Sequence, residues 1–589
     1  MNVRGLISLI LAAALLPANG AAPAIPATGM FDLYRQNRML GIPNQITEDF
    51  LLLSYSMISE QAVADVETGK DLPGLTELMD HLTAGAAKAG DSEAAKADRQ
   101  FLEVVRDLLS EKPAEASDPV VAKELELIRG AAGPARSELL KQTIDYSQMK
   151  PRGHYTKTPE LSRYFQAVKY SGEALFYVKD SPATGIDAAT ADRLTQQAVL
   201  LSGWIRDDAK SGKWFGDFQA RRNWMFGPPE DLRTEDVNKV ADTMPKASPA
   251  EVRTALLRYA RKYGRQPAIL SGSVDSSKLE KGVTAKDALT GWRLLPGSFT
   301  PGAAAAQLLV YPSVGKYLGK GTPASVTTVD GMKVKGFPLA AEMMSMLGSK
   351  EAAKLASDTD ETNYEGYNKA RLKAGKQLIV KSGLSSEQLG LLRDWFSQTD
   401  KSDDRLATAR GFWTWTLHGS VLYAKQSSTG VGKGLGPRDD RTTAWLEPSV
   451  ALYTGLLKIS KEWEQRTGSA AFAEYSKVLT RCIEIAGKEK TGTALAPEDV
   501  EFLNGLDKNL LTLTGTEDHP IAADFHTDLN SGQVLTEALG YPKAVMHADA
   551  RGARFAPEEF KQKISERLTD EAWQELLKQR EEKQGEEKK

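Results

Sequence analysis

The segment Asp524-Phe525-His526-Thr527-Asp528 holds the densest group of side chains in this sequence that could do chemistry. Two carboxylates flank one of only six histidines in the chain. Side chains alternate across a β-strand with a period of two, so an extended segment would place Asp524, His526 and Asp528 on one face. Three such groups could bind a divalent metal ion, or could supply an acid, a base and an orienting group.

Other interpretations of this segment remain open. Asp is common in turns, so the carboxylates could form an Asx turn beside a hydrogen-bonded structural histidine. Asp524 and Asp528 could bind a structural calcium ion. His526 with one of these aspartates could instead hold a catalytic metal ion and a water in an open coordination position. The sequence contains no His-Glu-x-x-His helix.

A second polar segment lies around Arg152. Pro151 and Gly153 enforce a turn, and Arg152 and His154 can project from that turn as an anion-binding pair. The structural alternative is that Arg152 pairs with a buried carboxylate or caps the carboxyl end of a helix.

Polar residues from several segments could meet in one cleft. The candidates for catalysis are His154, Glu447, Asp524 and His526. The candidates for binding are Asp49, Arg152, His418, Tyr423, Lys425 and Gln426, and those for metal binding are Asp524, His526 and Asp528. Such a cleft would resemble a hydrolase site, in which a carboxylate pair such as Glu447 and Asp524 acts as acid and base, as in glycosidases.

Nucleophilic catalysis has weaker support. Ser420 lies two residues after His418, but the sequence has no Gly-x-Ser-x-Gly elbow. The only cysteine, Cys482, falls on the helical apolar spacing of Phe472, Tyr475, Leu479 and Ile485, which predicts a position in the core.

Taken in order, these motifs resemble the bacterial exported family catalogued as domain of unknown function 3160. The resemblance runs from about Pro43 to Trp573. The matching pieces are Pro43 with Thr47, Asp49, Leu51, Leu52 and Tyr55; residues 151–155; Leu347-Gly348-Ser349; residues 422–426; Glu447-Pro448; residues 523–528; and Glu559-Phe560. The resemblance implies a large, exported, mostly helical protein, and it supplies no established activity.

The sequence departs from the family pattern in two places. Leu53 and Ser56 stand where the pattern carries histidines, and Leu417 and Gly419 replace an arginine and an aspartate on either side of His418. If those groups carry an activity in the family, this chain would be a diverged member that binds without turnover. Otherwise those positions were never catalytic.

The first twenty residues have the order of a secretory signal peptide. Arg4 is their only charge, an apolar run spans residues 6–16, and the small residues Ala18 and Gly20 favour cleavage after Gly20, with Ala22 as an alternative. The apolar run is about half the length that a bilayer crossing needs, and no later stretch reaches about 18 consecutive apolar residues. These features predict a soluble mature chain in the periplasm or outside the cell.

Composition limits the classes of partner. The formal net charge is −3 without a basic stripe, so nucleic acid is a poor candidate. A single cysteine excludes an internal disulfide. Trp413, Trp415 and Trp445 are expected in the core, with a stacking platform for a sugar ring as the alternative. The primary interpretation is a ligand-binding or envelope-associated protein, and the alternative is a hydrolase of glycan or cell-wall material; a divalent metal and a polysaccharide ligand both remain open.

Helical periodicity dominates the chain. Stripes such as Phe101, Val105, Leu108 and Leu109, and Val252, Leu256, Tyr259 and Tyr263, predict helices that bury one face. An alternating pattern at 544–547 predicts a strand. We therefore expect a mainly α fold, a large irregular helical body with at most a small sheet near the C-terminus.

The predicted organisation is one large domain. Residues 1–20 form the signal peptide, 21–29 a flexible leader, 30–575 the helical domain and 576–589 a charged tail, either a frayed helix end or a disordered segment. Two stretches rich in Gly and Thr, 319–336 and 427–443, are predicted as long surface loops. The first of them could also divide the body into two lobes.

Overall fold

The computed structural model describes residues 27–113, 116–270, 272, 274–398, 405–423, 441 and 443–587. The predicted signal peptide, residues 21–26 of the leader, and nearly all of the predicted loop 427–443 lie outside the described residues, as do Lys425 and Gln426. Leader residues 27–29 lie against the body: Ala27 is buried, and Gly29 caps the first helix.

The body is mainly helical, as predicted. The helices are α1 Met30–Leu40, α2 Glu48–Val66, α3 Leu72–Lys88, α4 Glu93–Leu109, α5 Pro119–Gly130, α6 Pro159–Glu173, α7 Ala188–Asp207, α8 Ala209–Met225, α9 Thr234–Asp242, α10 Pro249–Tyr263, α11 Ala285–Ala288, α12 Pro301–Leu308, α13 Ala340–Leu347, α14 Lys350–Asp358, α15 Tyr367–Gln377, α16 Gly383–Phe396, α17 Arg405–Gly419, α18 Val450–Thr467, α19 Ala470–Thr491, α20 Pro497–Thr514 and α21 Asp570–Glu587. Within the described residues, none of these helices has both the length and the apolar character that a membrane crossing requires.

Small sheets are added to this body. The strands are β1 Asn44–Ile46, β2 Pro134–Arg136, β3 Thr143–Asp145, β4 Phe176–Tyr177, β5 Gly291–Trp292, β6 Val326–Val329, β7 Met332–Lys335, β8 Ala444–Leu446, β9 Ile521–Asp528, β10 Gln533–Leu539, β11 Lys543–His547, β12 Ala550–Arg554 and β13 Pro557–Lys563. One sheet has the order β11-β12-β1-β8, a second has the order β13-β10-β9, and the rest are two-stranded. The predicted strand at 544–547 is confirmed as β11, but sheet structure is not confined to the C-terminal region.

Helix α2 lies in the centre of the protein. It is apolar on nearly all sides, and residues on every face of it are buried, as expected for a helix enclosed by other elements. Thr47 starts it by accepting a hydrogen bond from the Phe50 amide. A π-helical turn, Glu67–Asp71, joins α2 directly to α3, and such turns often occur at functional positions.

The helical stripes are confirmed in most positions. The four residues of the α4 stripe, together with Val252 and Leu256 of α10, are buried in one contiguous hydrophobic core, which also contains Cys482 and Trp413. Tyr263 differs, because 49% of its surface is exposed. It is the last residue of α10 and packs on Tyr259, with ring centroids 4.4 Å apart, instead of entering the core.

The prediction of a surface loop at 319–336 is wrong in its second half. Strands β6 and β7 form an antiparallel hairpin there, with Val329 paired to Met332. Asp330 and Gly331 form the two-residue turn with φ of +48° and +77°, as a type I′ turn requires. The Asp-Gly pair directly after the β-branched run at 326–329 is a sequence signal for this hairpin. In the predicted tail, α21 continues to Glu587.

Candidate functional site

The strand β9 carries the five-residue segment, but its side chains do not alternate simply. On the neighbouring strand, Thr536 pairs with Asp524 and Leu535 pairs with His526, which leaves Phe525 as a β-bulge. Thr536 and Leu535 are adjacent in β10, so their side chains face opposite sides of the sheet. Paired residues share a face, so their partners Asp524 and His526 also face opposite sides. The prediction that Asp524, His526 and Asp528 share one face is therefore wrong.

Contacts on the two faces agree with this register. Arg567 donates to Asp524 Oδ2 at 2.5 Å and to Thr527 Oγ1 at 3.1 Å, so these two residues share a face. The ring of His526 lies on the other face, near Phe337, with ring centroids 6.4 Å apart. The bulge thus replaces the expected spacing of two residues with a spacing of three.

Asp528 forms a turn, which was one of the interpretations left open. It accepts hydrogen bonds from the backbone amides of Asn530 and Ser531, at 3.1 and 3.3 Å, and from Ser531 Oγ at 2.6 Å. Across the described residues, no group of three or more His, Cys, Asp or Glu side chains is placed to hold a metal ion. The structure does not bring the proposed metal ligands together.

Arg152 lies in the same network as Asp524. It is fully buried, its guanidinium donates to Ser147 O at 3.3 Å and to Gln148 Oε1 at 3.4 Å, and its Nη2 lies 3.9 Å from Asp524 Oδ2. Burial lowers the pKa of Arg152 to about 10. The turn at Pro151 therefore points Arg152 into the protein instead of presenting it as a surface anion site.

His154 belongs to a different network. Its Nε2 lies 3.1 Å from Glu67 Oε2, and Tyr155 donates to Glu67 Oε1 at 2.6 Å. Glu67 is the first residue of the π-helical turn, and Asp71, the last, pairs with Arg221. Burial raises the pKa of Asp71 to about 6.

His418 lies between two buried carboxylates. Its Nδ1 pairs with Glu60 of α2, and its Nε2 is 3.5 Å from Asp570 Oδ2 of α21. Burial alone would lower its pKa, but the carboxylates of Glu60 and Asp570 raise it to about 9. Glu60 has a pKa lowered to about 2, because the His418 charge more than offsets burial. Burial raises the pKa of Asp570 to about 7. Both imidazole nitrogens are thus occupied, and His418 is not free to act as a base.

Asp49 and Glu447 meet at a third position. Arg554 donates to Asp49 Oδ2 at 2.9 Å and to Glu447 Oε2 at 2.8 Å, and the Glu48 amide also donates to Glu447. Glu447 is therefore held by Arg554, whereas Asp524 is held by Arg567. The structure does not pair these two carboxylates as the acid and base of a glycosidase.

Tyr423 contributes to the interior as well. Its hydroxyl lies 2.7 Å from that of Tyr164, and its ring stacks on Phe226 with centroids 4.5 Å apart. Arg222 lies over the same ring at 4.5 Å. The single shared cleft expected from the sequence is thus replaced by separate buried networks.

A cavity of about 360 Å³ lies elsewhere, between β3, α6, α12 and β9. A second space, of about 400 Å³, lies between α3, α4 and α5, where the charged lining residues Asp80, Glu103 and Arg106 are exposed. The walls of the first cavity mix amides, charges and apolar side chains. The residues that line it include Gln142, Asp145, Gln148, Lys169, Glu173, Leu175, Tyr177, Ile269, Leu270, Arg293, Ala306, Gln307, Phe525, His526 and Leu529. Of the candidate residues that the structure describes, only His526 lines this cavity.

Four charged residues define the chemistry of the cavity. Lys169 is 5% exposed, and its Nζ lies 3.3 Å from Glu173 Oε1, one helical turn further along α6. Arg293 donates to Asp231 at 2.6 Å. Asp145 also lines the cavity; its carboxylate accepts a hydrogen bond from Ser147 and pairs with Arg567 at 3.4 Å.

Lys169 and His526 are among the groups in the wall whose pKa values are shifted. Burial lowers the pKa of Lys169; Glu173 opposes that change, and Arg152 contributes to it. Burial lowers the pKa of His526 to about 4, so that its imidazole is neutral at physiological pH. The cavity thus offers fixed charges of both signs and a neutral ring.

Local sequence patterns carry little signal for these residues. Lys169 and Glu173 have the i, i+4 spacing of an ordinary exposed helix pair, and only the packing of α6 shows that they are enclosed. Glu60, Glu67 and Asp570 were missed for the same reason. Each sits in a helical stretch with no local motif around it.

The fold and the site define a mainly helical protein with a mixed polar and apolar cavity between β3, α6, α12 and β9. Residues 12–587 match the model of a family described as a protein of unknown function (DUF3160), so the chain belongs to that family. A search of curated proteins and a search of solved structures gave no match.

Proposed function

We propose that this protein is an exported binding protein that holds a small organic molecule in the cavity between α6, α12 and β9. The observation that supports this proposal is that Lys169 is buried in the wall of a cavity of about 360 Å³. Ligand pockets of about 300 to 1,000 Å³ are typical for small molecules, and a few charged groups in an apolar wall usually fix their orientation.

Export is the part of the proposal that rests on the sequence. The charge, apolar run and small residues at positions 1–20 are those of a secretory signal. An exported binding protein needs no catalytic group, which agrees with Leu53 and Ser56 at the two positions where the resemblance implies histidines.

Hydrolysis is the weaker alternative on these observations. A general base works best with a pKa near the working pH, whereas the pKa of His526 is lowered to about 4. His418 has both ring nitrogens against carboxylates, and the cavities beside its partner Glu60 measure only about 50 and 20 Å³. Neither histidine combines a free nitrogen of suitable pKa with room for a substrate.

The test compares thermal unfolding of the mature protein with a chemically mixed set of amino acids, sugars, nucleosides and organic acids. Gln307 lines the cavity and is partly exposed, so Q307W should fill the cavity without removing a core side chain. Gln377, at the end of α15, is also partly exposed and does not line the cavity, which makes Q377W the matched control.

At least one compound should raise the melting temperature of the wild type and of Q377W, but not that of Q307W, because a ligand stabilises only the state that binds it. Equal stabilisation of Q307W would contradict binding in this cavity. The absence of stabilisation by every compound would contradict the proposal as a whole.

A further inference from the structure

We infer that the ligand of this cavity is an amino acid or a short peptide with an apolar side chain, bound in its zwitterionic form. This inference rests on the proposed function, because it names the chemical class that the same cavity selects. It follows from the signs of the charges in the wall, their burial and the apolar surface between them.

The cationic part of the wall suits a carboxylate. Lys169 is almost fully enclosed, and its one ion pair uses one of the three N–H donors of the ammonium. Arg293 is held in place by Asp231 at 2.6 Å, and both residues are buried. A carboxylate bound here would form charge-assisted hydrogen bonds in a poorly solvated environment, where such bonds are strong.

The anionic part of the wall suits an ammonium group. The side chains of Asp145 and Glu173 both line the cavity and keep 19% and 23% of their surface exposed. Each of these side chains is therefore only partly enclosed, although each already has a cationic partner.

The balance of charge excludes strongly charged ligands of one sign. Lys169 pairs with Glu173, Arg293 with Asp231 and Asp145 with Arg567, so the charges at the wall balance, and His526 is neutral. A phosphate with two negative charges would face both carboxylates, and a diamine would face both cations, so each would meet like charges in a partly desolvated site. A molecule with one charge of each sign meets no such penalty.

Apart from the charged groups, apolar side chains share the lining with the amides of Gln142, Gln148 and Gln307. Leu175, Ile269, Leu270 and Leu529 line the cavity and can contact an aliphatic or aromatic side chain. Phe525 packs edge-on against Trp413, with centroids 4.6 Å apart, so its ring is already engaged. Sugar binding usually relies on an exposed aromatic face. Among the described lining residues, Tyr177 is the aromatic side chain besides Phe525 and the His526 ring, and it is itself buried.

Isothermal titration calorimetry on the mature protein tests this inference with four probes. L-leucine and L-leucyl-L-leucine carry both charges, N-acetyl-L-leucine lacks the ammonium, and L-leucinamide lacks the carboxylate. At least one of the two zwitterions should bind, and removal of either charge from leucine should weaken binding at least tenfold. Equal affinity for leucine and both blocked forms would overturn the inference.

Two variants locate the charges. K169M should weaken the binding of L-leucine at least tenfold. It should leave the affinity for L-leucinamide unchanged, because the amide makes no ion pair with Lys169. E173Q should weaken the binding of L-leucine and leave the affinity for N-acetyl-L-leucine unchanged. An equal loss for charged and blocked probes in both variants would overturn the assignment, and the probe series on the wild type decides the ligand class even if a variant fails to fold.

The two proposals fail separately. If neither zwitterion binds the wild type at millimolar concentration while another compound binds and Q307W abolishes that binding, the amino acid inference is wrong and the cavity still binds a ligand. If no compound of any class binds, both proposals are wrong.

Discussion

His418 and Glu60 form a buried ion pair that joins α17 to the central helix α2. The second ring nitrogen of His418 faces Asp570, the first residue of α21, so one imidazole connects the N-terminal, middle and C-terminal parts of the chain. All three side chains are buried. An imidazolium between two carboxylates in the interior stabilises the fold only as a set, because each charge depends on its partners.

Glu60→Gln should lower the free energy of unfolding by about 3 kcal/mol, because it leaves the buried His418 without its closest counter-charge. Urea denaturation at pH 7 measures this change. The matched control is Glu474→Gln, which removes an exposed partner of Lys477 and should change stability by less than about 0.5 kcal/mol. A loss in E60Q no larger than that of the control would contradict a stabilising role for the pair.

The stability of the protein should fall as the pH rises from about 6.5 to 9. The pKa of His418 is raised to about 9 by Glu60 and Asp570 despite burial, so the folded state holds a proton that the unfolded state has already released. The stabilisation from protonated His418 is complete below about pH 6.5, the pKa of histidine in the unfolded state. It is lost as the pH rises through the pKa in the folded state, which lowers the free energy of unfolding by about 3 kcal/mol.

Urea denaturation at pH 6, 7, 8 and 9 measures this dependence, and His418→Gln is the comparison. The variant should be less stable at pH 6 and should show a smaller decline up to pH 9. Burial raises the pKa of Asp570 to about 7. The change in stability that comes from Asp570 therefore falls mostly below this pH range. Parallel curves for the two proteins would show that His418 does not carry the pH dependence.

Asp524→Asn should destabilise the protein by about 3 kcal/mol, because Arg567 and Arg152 lose the carboxylate that faces both of them in the interior. Thermal or urea unfolding measures the effect, and Asp217→Asn, which removes an exposed partner of Lys213, is the control. If Asp524 contributed only by binding a metal ion, elemental analysis would detect that metal in the wild type and less of it in D524N. We expect the loss of stability without any change in metal content.

Gly331→Ala should cost about 1 kcal/mol, because the turn between β6 and β7 holds this residue at a φ of +77°, which disfavours any side chain. Nothing lies within 4 Å of the added Cβ, so the cost is conformational and not steric. Gly130→Ala, at the end of α5 with equally open space, should be neutral or slightly stabilising. A neutral G331A in urea denaturation would argue against the type I′ turn.

Much of the architecture could be predicted from residue patterns. The stripe on α4 and the position of Cys482 in α19 follow from helical periodicity, since one buried face repeats every three to four residues whatever the partner helix is. The strand β11 followed from alternation. The sequence-based prediction missed the hairpin at Asp330, although Asp330-Gly331 is a hairpin signal. The high glycine content of the stretch 319–336 indicated one continuous loop.

The candidate site could not be assembled in the same way. Predicted residues such as His154, His418 and Glu447 each pair with a charged residue from a distant segment, namely Glu67, Glu60 and Arg554. Such partners leave no mark in local sequence. They are chosen by which helices pack together, since a buried charge must find a counter-charge wherever the fold provides one.

The sequence by itself determined the helical character of the body, the polarity of each helix face and the family to which the chain belongs, because these depend on local periodicity and on motif order. Tertiary structure alone decided which side chains share a site. A single bulge at Phe525 turned Asp524 and His526 to opposite faces, and the packing of α6 enclosed Lys169 and Glu173 at a cavity. Both outcomes depend on contacts between residues far apart in the chain, which no local pattern specifies.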